Sequence, residues 1–305
     1  MAVITSRANK KCAIIIDKQK CTGCGKCVEV CKDFSLKLEA GKVEISETPV
    51  FGCIGCGHCM AICPEGAIVV SGRAISEEDL FEFSDYSLKA DYASILSLYK
   101  HRRSIREFKN QPVEKEKIEA ILDAASYSPM GLPPTDVHVL VMDSVEKGRR
   151  FASDFCNYLG RLQWITSNWF LGLMRPFWGK ETDRVFRGFV KPLIKLFREA
   201  NSRGENLVTY DAPLCLYFYA TPFADPADPI VAATSAMYAA EALGLGTVML
   251  GGVHPLLLYG SAAAKFRRNH KIKFKSREGL ILAVGYPKVR YQKGIRRTFA
   301  SVDYL

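Results

Sequence analysis

Two runs of cysteine constrain this chain more than any other feature. The first is Cys21-x2-Cys24-x2-Cys27-x3-Cys31, and the second is Cys53-x2-Cys56-x2-Cys59-x3-Cys63, followed by Pro64. Nine of the eleven cysteines lie in the first 63 residues, so metal chemistry is concentrated there. Three thiolates spaced two residues apart wrap one centre in a tight turn, and a fourth from a distance closes the cage. Soft sulfur ligands select iron–sulfur clusters or zinc. Zinc ribbons use two separated C-x2-C pairs and four ligands in all, a poor fit to eight cysteines in two longer runs. Glycines at 23, 25, 55 and 57 let the backbone curl and aim N–H groups at the sulfurs.

The spacing resembles that of the two-cluster bacterial ferredoxins, over about residues 12–72. In that family the fourth cysteine of one run ligates the other run's cluster. The resemblance therefore implies two [4Fe–4S] clusters. Cys21, Cys24, Cys27 and Cys63 would hold one, and Cys53, Cys56, Cys59 and Cys31 the other. Lys32 departs from the pattern, since proline usually follows the fourth cysteine. His58 is expected to be a loop residue rather than a ligand, because no cysteine is missing. Cys12 is expected as a small hydrophobe opening a strand Cys12–Ile16, and Cys156 and Cys215 as core. The opening MAVITSRANKKCAIIID lacks the apolar stretch of a secretory signal, and no 18-residue uncharged apolar run occurs. A reducing, cytoplasmic setting is expected, where clustered cysteines bind metal rather than form disulfides.

At 305 residues the chain has room for a second, larger unit. The expected division is 1–72, a linker at 73–90, and 91–305 with an aromatic and basic insertion at about 151–200. Helices are expected at Tyr92–His101, with Ile95, Leu96 and Leu98 on its apolar side, and at Glu114–Tyr127, with Ile118, Ile121, Leu122 and Ala125 at helical spacing. An alanine-rich helix is expected at Ile230–Leu243. Strands are expected at Val137–Met142, Leu214–Ala220 and Leu280–Gly285. This is an α+β pattern, a sheet flanked by helices. The insertion holds all three tryptophans, Trp164, Trp169 and Trp178. It admits three readings: core helices, a lid over a pocket, or a hook into a membrane surface.

At the end of the first of these helices stands Arg102-Arg103-Ser104-Ile105-Arg106. Planar guanidinium donors and a hydroxyl so close together suit a phosphate group. A rigid loop, Ser128-Pro129-Met130-Gly131-Leu132-Pro133-Pro134, is built to line a flat ring. Leu243-Gly244-Leu245-Gly246-Thr247 leads on to Leu250-Gly251, and a last basic cluster includes Lys293 and Arg297. In this order the motifs resemble the nitroreductase family of FMN enzymes, from about Tyr92 to the C-terminus. An N-terminal ferredoxin fusion marks a subgroup of that family. The resemblance implies an α+β sandwich that dimerises with FMN at the subunit interface. It assigns Arg102, Arg103, Ser104 and Arg106, with Lys293 or Arg297, to the FMN phosphate. Pro129, Met130 and Gly131 would meet one side of the ring, and Leu250 and Gly251 the other. Pro133, Thr135 and Asp136 stand where many members carry Asn, Gln and Pro.

The resemblance implies a flavin oxidoreductase with a built-in electron feed. A low-potential donor would reduce the clusters, the clusters FMN, and FMN a small organic acceptor such as a nitroaromatic, quinone or enone. Asp136 and His254 are acid–base candidates by type only, and structural roles suit both better. The alternative is a non-enzymatic electron carrier or redox sensor acting on a protein partner. Residues 265–297 hold twelve Lys/Arg against one acid, Glu278. Such a segment attracts anions, and an acidic ferredoxin or flavodoxin is the expected donor. A homodimer is expected, with no nucleic acid and no membrane partner.

Overall fold

The computed structural model describes residues 12–50, 52–72, 75–83, 86–131 and 136–305. The N-terminal unit is closed by pairing its first strand with its last. Strand β1 (Ala13–Ile16) runs antiparallel to β4 (Ile68–Ser71), with Ala13 opposite Ser71 and Ile16 opposite Ile68. Between them, helix α1 (Lys26–Val30) leads to the hairpin β2 (Leu36–Glu39) and β3 (Lys42–Ile45), and then to helix α2 (His58–Ala61). Ala40 and Gly41 both take positive φ, 46° and 74°, as the tight two-residue hairpin turn requires. Both short helices start from a left-handed glycine, Gly25 or Gly57. The core here is small: Leu36, Val43, Met60, Ala67, Ile68 and Val70, packed with Cys21, Cys27 and Cys59. So little apolar surface is the situation in which bound metal contributes to folding.

The stretch expected as a linker touches both sides. Ser76 opens a 3-10 turn, Glu77–Asp79, and its N–H donates to the Asp79 carboxylate at 2.7 Å. Ile75 lies against Gly57, while the Phe81 ring meets Tyr127 edge-on at 6.0 Å.

The larger unit is built on a four-stranded antiparallel sheet. Its strands are β5 (Val137–Met142), β6 (Leu214–Ala220), β7 (Gly246–Leu250) and β8 (Gly279–Gly285), in the order β5-β6-β8-β7. The two central strands are buried along their whole length. Alternation sorts their side chains. Leu214, Leu216 and Phe218 face helices α4 (Lys115–Ser126) and α8 (Asp228–Ala242). Cys215, Tyr217 and Tyr219 face α5 (Val145–Arg161) and α9 (Ser261–Asn269). Alanines 232, 233, 236 and 240 are buried, so α8 lies close on the sheet. Burial pushes the Cys156 thiol up to about 11 and that of Cys215 up to about 12; both are inert core groups. This is an α+β fold.

Helix α3 (Tyr92–His101) forms where expected, its N-terminus capped by Asp91, which accepts from the Ser94 N–H at 2.7 Å. Its apolar side is not buried, however; Ile95 is 38% exposed, and the main tie is Tyr99 against Tyr238 at 4.5 Å. Strand β7 was not expected, because its five residues begin in a glycine-rich turn and give little period-2 signal.

The aromatic insertion divides. Its first part belongs to α5, which drives Phe151, Phe155 and Leu159 into the core. The rest is α6 (Asn168–Val185), interrupted at Gly179 (φ 81°), and α7 (Lys191–Ser202). Trp164, Phe170, Trp178 and Phe186 pack on one another. Trp169, Leu173 and Phe177, four residues apart along α6, are all exposed. Among the described residues, no helix is long and apolar enough to cross a membrane.

Three substitutions test this packing. Phe155→Ala should cost about 3–5 kcal/mol in chemical denaturation, the penalty for emptying a fully buried aromatic site. A cost within experimental error would show that α5 does not anchor the core. Gly23→Ala should unfold the N-terminal unit selectively. Gly23 has φ +71°, and an added methyl would run into the Gly41 carbonyl. Gly41→Ala meets open space and should cost only about 1–2 kcal/mol for its left-handed backbone. Equal effects of the two changes would show that the turn packing is unimportant.

Candidate functional site

The eight motif cysteines gather into two cages. Cys21, Cys24, Cys27 and Cys63 line one cavity, with Thr22, Gly23 and Val43. Cys31, Cys53, Cys56 and Cys59 line another. Each run's fourth cysteine thus sits with the other run's first three. The helices explain the exchange. Helix α1 carries Cys27 towards one cage and delivers Cys31 to the other, and α2 does the same with Cys59 and Cys63. Backbone N–H groups point at the sulfurs. Those of Val43 and Gly23 hold the Cys21 thiol below its ordinary range, and the Ala67 N–H reaches Cys63 Sγ at 3.2 Å. Burial, then repulsion from Cys53, Cys56 and Cys31, pushes Cys59 up to about 12. A thiol held so high ionises when a cation lies beside it. Soft donors, four to a cage and served by N–H groups, fit iron–sulfur cubanes. Among the described residues, no three His, Cys, Asp or Glu side chains converge closely enough to hold one ion between them. His58 is exposed at the start of α2.

The arginine run lies along the edge of the sheet. Ser104 bridges to Thr247 of β7, and the Ile105 N–H donates to the Thr247 carbonyl at 2.8 Å. Gly246 has no side chain because Ile105 occupies its place; an added Cβ would lie 2.6 Å from Ile105. Arg102 and Arg103 are half-buried, and Arg103 Nη1 donates to the Arg102 carbonyl at 2.8 Å. The C-terminal segment returns to this point, with Gly294 against the Arg103 guanidinium. Lys293 is therefore a neighbour of the run. Arg106 instead lies over the Tyr210 ring, 5.9 Å from its centroid, and Arg297 is exposed. Two residues missed in the sequence join the run. Glu241 of α8 is pushed up by burial and pulled back by Arg102, His101 and Arg103. The Thr247 hydroxyl is buried without a hydrogen-bond partner. Guanidinium groups and an unpartnered buried hydroxyl fit a phosphate-bearing ligand.

The loop expected to meet a ring is held from beneath. The Ser128 hydroxyl donates to the Ala125 carbonyl at 2.7 Å, and Met130 packs on the core between α4, α8 and the sheet. The Gly131 N–H donates to Asp228 Oδ1 at 2.7 Å. Asp228, only 3% exposed, is a third residue that sequence reasoning missed. Pro133 and Thr135 lie outside the described residues. Asp136 accepts from the Thr221 hydroxyl at 3.2 Å. Leu250, by contrast, packs on the α5 and α9 face of the sheet, and neighbouring Gly252 lies beside Leu193 of α7. One protomer therefore keeps Met130 and Leu250 on opposite faces. His254 is buried, with Nδ1 2.7 Å from the Tyr217 hydroxyl, a structural position.

Comparison with known proteins agrees with this architecture. The model of the nitroreductase family matches residues 99–286, and that of a 4Fe-4S dicluster domain matches residues 13–64. Among solved structures, a nitroreductase with bound FMN from Bacteroides fragilis NCTC 9343 is 16% identical, with a TM-score of 0.52, over 70% of this chain and 98% of its own. A nitroreductase with bound FMN from Desulfitobacterium hafniense DCB-2 is 19% identical, with a TM-score of 0.48, over 69% of this chain and 97% of its own. No curated protein matches the chain. The sheet, its flanking helices and the span of the family match together show that this chain belongs to the nitroreductase family, with a 4Fe-4S dicluster segment ahead of the family domain.

Proposed function

We propose that this chain is an FMN oxidoreductase that draws electrons from a low-potential, one-electron donor through two [4Fe–4S] clusters and passes them to a small organic acceptor. The observation that carries this reading is the pairing, in one chain, of two four-thiol cages with an arginine and serine run on the edge of a nitroreductase sheet. Residues 1–72 are the cluster domain, 73–90 the linker and 91–305 the flavin domain. The clusters take the crossed ligand sets, Cys21, Cys24, Cys27 and Cys63 against Cys53, Cys56, Cys59 and Cys31. Arg102, Arg103 and Ser104 grip the FMN phosphate, with Lys293 closing over them. Pro129, Met130 and Gly131 hold one side of the ring, and Leu250 and Gly251 of a second copy the other. The separation of Met130 and Leu250 within one protomer supports that homodimer. Bound FMN supplies the chemistry of collecting electrons singly and delivering them in pairs to a nitroaromatic, quinone or enone.

Anaerobically prepared protein should contain about eight irons and one FMN per chain. Stoichiometric zinc with little iron would overturn the reading. Arg102→Ala should weaken FMN binding about ten- to a hundredfold, the loss of a charge-assisted contact worth roughly 1.5–3 kcal/mol. Unchanged affinity would make the run a solvated helix end. Reduced ferredoxin should support turnover better than NADH or NADPH. Its rate should fall with salt, since exposed charges are screened within about 10 Å at 0.1 M. Rapid turnover with NADH in protein lacking residues 1–72 would show that the clusters do not feed the flavin.

A further inference from the structure

The two cages are not equivalent towards the rest of the chain. The cavity lined by Cys31, Cys53, Cys56 and Cys59 measures about 970 Å³. It is also lined by Ser126, Ser128, Pro129, Met130 and Gly131, across about 70 residues of sequence. One wall is the second cage, and the other is the loop at the end of α4. The cavity at Cys21, Cys24, Cys27 and Cys63 is lined only by residues between 21 and 68. Cys24 reaches the surface there although Cys21 and Cys27 of the same cage are buried; in the other cage Cys59 is buried and Cys31, Cys53 and Cys56 are partly so. We propose that electrons leave the N-terminal unit only through the cage of Cys31, Cys53, Cys56 and Cys59, and enter at the cage of Cys21, Cys24, Cys27 and Cys63. This rests on the reading of the function given above and adds the order of its two clusters.

Three further features bear on the assignment. The cages are close: Cys27 on α1 and Cys31, the residue just past its end, lie only four positions apart, roughly 6 Å at the rise of a helix. An electron arriving at the outer cage, that of Cys21, Cys24, Cys27 and Cys63, therefore has a short step to the inner one, that of Cys31, Cys53, Cys56 and Cys59. The receiving loop is fixed rather than hinged, because Asp228 holds the Gly131 N–H and Met130 is packed on the sheet. The linker also ties the two units at this side, Ile75 to Gly57 and Phe81 to Tyr127. Electron transfer falls off exponentially with distance, so the cage that shares a cavity with the loop has the advantage.

The balance is simple. A one-electron donor is oxidised and the outer cluster reduced. The electron passes to the inner cluster, returning the outer one to its starting state, and then to the flavin, returning the inner one. Two such passes, with one proton taken from solvent, convert FMN to FMNH⁻ and oxidise two donor molecules.

The test uses the full chain with its clusters and FMN. Iron and flavin contents are measured first, and the flavin content of the wild type tests the reading of the function separately. Each protein is then mixed with stoichiometrically reduced ferredoxin, free of excess dithionite. Flavin bleaching is followed by stopped flow, and the clusters by EPR of freeze-quenched samples. In Cys56→Ser, the reduced outer-cluster signal should build up while flavin reduction slows by orders of magnitude. In Cys24→Ser, entry from ferredoxin should slow, and no reduced cluster should accumulate ahead of the flavin. The opposite pattern would overturn the assignment. Asp228→Ala tests it with every cysteine intact, at saturating FMN. Cluster reduction should keep its rate while flavin reduction slows. Equal rates in that variant and the wild type would also overturn the proposal.

Discussion

Four thiols in one cage repel one another once they ionise, and this repulsion sets the terms for the N-terminal unit. Burial raises the penalty, as the shift at Cys59 shows. The chain opposes it with backbone dipoles, from Gly23 and Val43 onto Cys21 and from Ala67 onto Cys63. Those dipoles do not neutralise four charges; a metal centre does. The apolar core around Leu36, Val43 and Val70 is too small to hold such an arrangement together on its own. The two short helices, the left-handed glycines that start them and the β1–β4 closure are consequences of having to place four sulfurs around each of two points.

Helix α8 does the equivalent positioning in the larger unit. Its first residue, Asp228, anchors Gly131; near its other end, Glu241 faces Arg102 and Arg103. The two residues are thirteen positions apart, about 20 Å along a helix. Alanines along its buried side let it lie flat on β6 and β8, so both ends are referred to the same rigid sheet. Strand β7 completes the frame, with Thr247 paired to Ser104 at one end and Leu250 at the other. Loops that would otherwise wander are thereby tied to one helix and one strand.

The sequence disclosed the features whose causes are local. Cysteine spacing is legible because a cage imposes it on neighbouring residues. Strands β6 and β8 are legible because a fully buried strand is a continuous apolar run. The arginine run is legible as charge. Asp228, Glu241 and Thr247 carried no such signal, since each acquires its role from a residue about a hundred or more positions away. The aromatic insertion misleads for a related reason. Aromatic content argues for burial, and Phe151, Phe155, Tyr158 and Leu159 on α5, with Ile194 on α7, do join the core. Trp169, Leu173 and Phe177 have the right spacing for a buried face but are exposed, with no element above them among the described residues.

Exposed apolar groups recur away from the sheet, and their placement bears on assembly. Tyr92 and Tyr99 on α3, and Tyr291, Ile295 and Phe299 in the C-terminal segment, are all more than half exposed. That segment reaches back to Arg103 through Gly294 and then continues without regular structure to Leu305. Large apolar side chains exposed in such number suit contact with another molecule. Two identical basic segments placed face to face would repel, which disfavours a dimer made by the C-terminal basic stretch alone. In the proposed dimer, contact through α3 and the apolar residues of the tail would let each copy cover the other's exposed side chains while the lysines and arginines stayed at the rim. Such a contact would lie beside the arginine run, where the proposed cofactor site calls for a second copy to bring Leu250 and Gly251 opposite Met130.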